Sequence, residues 1–140
     1  MVHLTQTIPA LPVRNTEAAV GCYRDLFGFT VRHQDTGFAV LTRDDAEVHL
    51  WEASDETWRG RDSGDSPVRS GAESFIAGTA SFRVQVDDVD GLYAELRPAG
   101  VLHYTDNGAP VDTDFGTREF ATVDVDGNLI SFFHRVRPRG

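Results

Sequence analysis

Apolar and polar positions alternate along much of this chain, and twice the alternation gives way to helical spacing. Residues 3–13, HLTQTIPALPV, read as a strand that carries Pro9 and Pro12. Proline has no N–H to give a ladder, so this strand is expected at an edge or exchanged between chains. Asn15 is placed to cap a helix in which Ala19, Val20, Tyr23, Leu26 and Phe27 recur on one face, with Gly28 at its end. Three strands of period two follow, FTVRH, GFAVLTR and EVHLWEA, the last two joined at Asp44-Asp45. Residues 54–78 lose the pattern. They are rich in Gly, Ser, Asp and Arg, with Trp58 and Phe75 isolated among them, and a connection that long is expected to be functional or mobile.

The succession then repeats. TASFRVQV reads as a strand, and DVDGLYAELRPAG as a helix with Val89, Leu92, Tyr93 and Leu96 on one face. VLHY is expected as a short strand, and residues 114–135 form a closing hairpin. The prediction is an α+β domain over residues 1–140, built from two βαβββ repeats, residues 1–53 and 79–135, around the loop 54–78. One helix covers one face of each set of strands. The other faces are left to curl around a cleft. Within the hairpin, Asp124-Val125-Asp126-Gly127-Asn128 has the look of a calcium loop, but no acid follows Gly127 to close one, so it is expected to be a turn.

Composition narrows the function. Hydrophobic content of 40% with 25% charged residues is that of a globular domain. A net charge of −9, with the arginines scattered among more numerous acids, argues against nucleic acid as a partner; an acidic surface is usually a solubility device, and the other reading is a bias toward cationic ligands. No run is long enough to span a membrane, and the first residues lack the pattern of a signal peptide. The lone cysteine, Cys22, reads as a small apolar helix residue and suits a reducing cytoplasm. Neither a GxSxG elbow nor a GxxxxGK[ST] loop is present. Asp44-Asp45 and Asp87-Asp88 lie at a turn and a helix start, where acids are structurally expected. His3, His33, His103 and His134 sit singly.

Three features carry a family resemblance: the paired repeats, the helix NTEAAVGCYRDLFGF and the late segment FGTREFATVDVDGN. Together they resemble the vicinal oxygen chelate superfamily, and within it the bleomycin resistance proteins. The matching positions are Pro9, Leu26-Phe27-Gly28-Phe29 and Gly116-Thr117-Arg118-Glu119-Phe120, while Val125 stands where the family usually has proline. The resemblance implies one of two function classes. Metalloenzymes of the glyoxalase, dioxygenase or thiol transferase type take ligands from facing strands, at positions aligned here with Ile8, His49, Ser81 and Ser131. Only His49 is a good donor. A metal-free binder that sequesters a flat cationic antibiotic of the bleomycin type, without modifying it, is therefore the expectation. No catalytic residue, metal or cofactor is assigned, and the metal-dependent enzyme is the alternative.

Strand alternation selects the wall of the cleft: Gln6, Ile8 and Ala10; Glu47, His49 and Trp51; Ser81, Arg83 and Gln85; Leu129, Ser131 and Phe133. The residues expected to meet the ligand are Phe38, Glu47, His49, Trp51, Trp58, Arg83, Phe115 and Ser131. Arg83 aligns with a tryptophan of the drug binders. The resemblance further implies a homodimer, with ligand crevices between subunits and first strands exchanged around Pro9.

Overall fold

The computed structural model describes residues 1–53 and 77–136. The first unit runs β1 (Ala10–Val13), α1 (Thr16–Asp25), β2 (Thr30–Gln34), β3 (Phe38–Arg43) and β4 (Ala46–Glu52). The second runs β5 (Ser81–Gln85), α2 (Val89–Leu96), β6 (Val111–Asp112), β7 (Thr117–Val123) and β8 (Leu129–Arg135). Each unit forms a four-stranded sheet, ordered β1-β4-β3-β2 in one and β5-β8-β7-β6 in the other. In both, the first strand runs parallel to the last, and the remaining neighbours are antiparallel. The repeat read from the sequence is thus repeated in the hydrogen bonding. Among the described residues no helix is long and apolar enough to cross a membrane.

Both helices start as their sequences dictate. The Asn15 side chain accepts from the Ala18 N–H at 2.8 Å, and the Asp88 side chain from the Gly91 N–H at 3.0 Å. These bonds satisfy N–H groups that have no partner within the helix. The chain leaves α1 through Gly28 at φ +79°, a conformation that glycine adopts without strain. Val48 and Leu50 of β4 and Ala39 and Leu41 of β3 are buried, whereas their sequence neighbours are half-exposed. One face of each sheet is therefore core, and the core is shared. Rings run from Tyr23 to Phe27 (5.4 Å), to Phe132 (6.4 Å), to Phe120 (5.5 Å) and to Tyr93 (5.3 Å), crossing from one unit into the other.

The turn at Asp124–Asn128 is the clasp between the units. Asp124 is buried, and its carboxylate accepts from Tyr23 Oη (2.8 Å), the Asp126 and Asn128 N–H groups (both 2.9 Å) and Asn128 Nδ2 (3.0 Å). Asn128 also donates to the Pro12 carbonyl at 3.0 Å and accepts from the Ala80 N–H at 3.1 Å. Asp126 takes the Arg14 N–H at 2.8 Å and the Arg14 guanidinium at 3.2 Å. Burial raises the Asp126 carboxyl above the usual range despite that partner, and its Oδ2 has no hydrogen bond. Gly78 lies so close that a Cβ there would collide with the Asp126 carbonyl. Gly127, at φ +95°, supplies the left-handed residue of the turn. Asn128 serves as a buried hydrogen-bonding hub. A second link is Arg43, which reaches Glu95 through two bonds of 2.7 and 2.9 Å and the Phe27 carbonyl at 2.8 Å.

Two strand expectations change. Only Ala10–Val13 of the first segment pairs within the chain, and residues 1–8 are exposed. Pro9 marks the boundary, its carbonyl accepting from the His49 N–H at 3.0 Å. Residues 101–104 form no strand beyond a single bridge, Leu102 to Thr122, and Val111–Asp112 pairs with β7. The chain turns away after His103, whose carbonyl accepts from the Asp106 N–H, while the Asp106 carboxylate takes the Tyr93 hydroxyl at 3.0 Å. Local alternation contains no sign of that tertiary bond.

Candidate functional site

The faces opposite the helices carry the predicted residues in two groups. On the first sheet, β4 presents Glu47, His49 and Trp51, and β3 places Phe38 directly across from Trp51. His49 Nε2 lies 2.7 Å from Glu47 Oε2, and the Phe38 ring meets the imidazole edge-on at 5.3 Å. The result is an aromatic surface with an acid–imidazole pair set in it.

On the second sheet, Arg83 of β5 stands beside Ser131 of β8, and Phe133 of β8 beside Glu119 of β7. The Arg83 guanidinium crosses β8 to bond Glu119 at 2.7 and 3.3 Å and lies over the Phe133 ring, 4.6 Å from its centroid. Thr117 Oγ1 donates to Glu119 Oε2 at 2.9 Å. The bond to Arg83 holds the Glu119 carboxyl below its ordinary range, and the same bond raises Arg83. Glu119 was absent from the sequence-based wall. Its signal was available: it sits two residues before Ala121, the cross-strand partner of Ser131, and so shares the open face.

Phe115 is 65% exposed, in the turn that leads through Gly116 into β7. Trp58 lies outside the described residues. A separate cleft of about 530 Å³ opens at the joint of the two units, between the Asp44-Asp45 turn and the start of α2, and none of the predicted ligand residues lines it.

The ladders place two of the positions expected to hold a metal against their neighbours. His49 pairs with Ala10, and Ser131 pairs with Arg83. Of the positions expected to hold a metal, Ile8, His49, Ser81 and Ser131, only His49 is a good donor, and Glu47 lies beside it. Among the described residues, no three His, Cys, Asp or Glu side chains come together as a metal cluster. Cys22 is buried, and that burial pushes its thiol up to about 11, so almost none is thiolate near neutral pH.

Comparison with known proteins agrees with this architecture. Residues 1–132 match the Glyoxalase/Bleomycin resistance protein/Dioxygenase superfamily. Over 134 residues the chain is 51% identical to bleomycin resistance proteins of Geobacillus stearothermophilus and Staphylococcus aureus, covering 96% of this chain and 99% of theirs. The fold is also that of a bleomycin-binding protein from Streptomyces verticillus solved with copper(II)-bleomycin. That match has a TM-score of 0.67 and 24% identity, covering 99% of this chain and 100% of the other. A second bleomycin-binding protein, solved with bleomycin, aligns with a TM-score of 0.65 and 22% identity over 94% of this chain and 99% of that one. With two βαβββ sheets and 51% sequence identity to its relatives across nearly its whole length, this chain belongs to the glyoxalase/bleomycin resistance protein/dioxygenase superfamily.

Proposed function

We propose that the protein protects its cell by binding a bleomycin-type antibiotic stoichiometrically, without breaking or making a bond in the drug. The observation that carries this reading is the 51% identity to bleomycin resistance proteins over 134 residues, end to end. The open faces fit the chemistry. Phe38 and Trp51 offer ring surfaces for a flat bithiazole, and Glu47 with the −9 net charge attracts a cationic tail. The positions aligned with the metal ligands of enzymes of this fold hold Ile8, His49, Ser81 and Ser131, and His49 is the one good donor among them.

The working unit of this proposal is a cytoplasmic homodimer. Residues 1–8 extend exposed from Pro9, with Val2 and Leu4 more than nine-tenths accessible. An arm of that kind has apolar surface to bury, and exchange around Pro9 would bury it on a second copy. Each groove would then lie between subunits, with Phe38, Glu47, His49 and Trp51 on one wall and Arg83, Phe115 and Ser131 on the other.

Catalysis and sequestration differ in what happens to the drug. Bleomycin incubated with the purified protein and released by denaturation should be recovered in full with its mass unchanged. A modified product that accumulates beyond the amount of protein would establish the metal-dependent enzyme instead.

A further inference from the structure

Both open faces present a basic side chain that is already occupied by a carboxylate. On the first sheet it is His49 with Glu47, and on the second Arg83 with Glu119. The second pair is the more elaborate. Three strands contribute to it: Arg83 from β5, the ring of Phe133 from β8 beneath the guanidinium, and Glu119 from β7. Two bonds hold the guanidinium to the carboxylate, and Thr117 Oγ1 fixes the carboxylate oxygen from its other side. A guanidinium and a carboxylate joined by two bonds form a planar unit with no net charge. Arg83 remains 45% exposed, so this unit is seated on the ring and still open to a ligand.

Occupation of the guanidinium decides what can bind. A free arginine on an aromatic floor is a good receptor for a carboxylate or sulfonate, through its fork of donors. With Glu119 in place the NH1/NH2 edge of that fork is filled, and an incoming anion meets the Glu119 carboxylate, whose pKa the bond to Arg83 lowers. A flat ring without negative charge meets only a planar stacking surface. Arg135 also faces the Phe133 ring, but from 5.9 Å and from the exposed end of β8.

We propose that Glu119 is the residue that sets the charge selectivity of this face: by occupying Arg83 over Phe133 it makes a neutral shelf for flat neutral or cationic heteroaromatic rings and turns anionic rings away. The inference rests on the proposed use of the open faces for ligand, and its test separates the two. Two flat fluorescent probes of similar size, the 9-aminoacridine cation and the 9-anthracenecarboxylate anion, are titrated at low ionic strength into wild type, Glu119→Gln and Arg83→Met. Taking the ratio of the two affinities cancels stacking and the constant effect of Arg135. Wild type should favour the cation. Glu119→Gln should shift the ratio toward the anion by roughly tenfold or more, because the guanidinium becomes available. Arg83→Met should shift it the other way by roughly threefold or more, because the Glu119 charge is uncovered. That opposite shift keeps the test decisive even if Glu119→Gln folds poorly. Bleomycin is titrated in parallel. Wild type that binds bleomycin, with an unchanged probe ratio in both variants, overturns the role of Glu119 and leaves drug binding standing. Wild type that binds neither bleomycin nor the probes removes both.

Discussion

Replacing Asp124 with alanine is expected to lower folding stability by about 3–5 kcal/mol, the range for leaving several buried donors without their anion. The carboxylate accepts four hydrogen bonds, from Tyr23, Asp126 and twice from Asn128. Tyr23 is fully buried at 0% exposure, and burial beside Asp124 pushes its hydroxyl far above the ordinary phenol range, so it can act only as a neutral donor. Removing Asp124 strands that hydroxyl and frees Asn128, which ties the turn to Pro12 and Ala80. Tyr23→Phe, which removes one donor and leaves the anion three, should cost only about 1 kcal/mol. Urea unfolding of both variants is the measurement. A loss for Asp124→Ala no larger than that for Tyr23→Phe would mean that the turn is an ordinary surface hairpin and that the shared aromatic core joins the units by itself.

Phe38→Ala should weaken bleomycin binding by roughly 2 kcal/mol, about thirtyfold, as expected for an aromatic anchor in a binding surface. The ring stands on the open face, edge-on to His49 at 5.3 Å and across the strand pair from Trp51. Its contribution to folding comes from cross-strand contact rather than core packing, so stability should fall by only about 1 kcal/mol. Calorimetric affinity and a urea midpoint on the same preparation separate the two roles. Substantial destabilisation with unchanged affinity would make Phe38 a packing residue and move the ligand elsewhere.

Periodicity made most of the fold legible. The alternation of Val48 and Leu50 with Glu47, His49 and Trp51 is visible in the sequence and survives unchanged in β4, because one face meets α1 and the other does not. The two units were legible for the same reason. What escaped detection depends on contacts distant in sequence. The unpaired arm before Pro9 and the missing strand at residues 101–104 turn on which neighbours the rest of the chain supplies. Register across parallel strands is likewise tertiary: that His49 pairs with Ala10, and Ser131 with Arg83, is set by the assembled sheets. The side-chain pairing of Arg83 with Glu119 spans 36 positions and could be seen only with β5, β8 and β7 laid side by side. The Asp124–Asn128 turn was read from its glycine, yet its larger role comes from Asp124 and Asn128, which a hairpin alone does not require to be buried.

The central claim is that this protein holds a bleomycin-type drug rather than transforming it, and calorimetric titration of the purified protein with metal-free and copper-loaded bleomycin tests it most directly. The expected result is saturation at about one drug per chain, with no continuing heat after the last equivalent. Absence of any saturable signal up to millimolar drug, or steady heat that persists far beyond one equivalent, would contradict it.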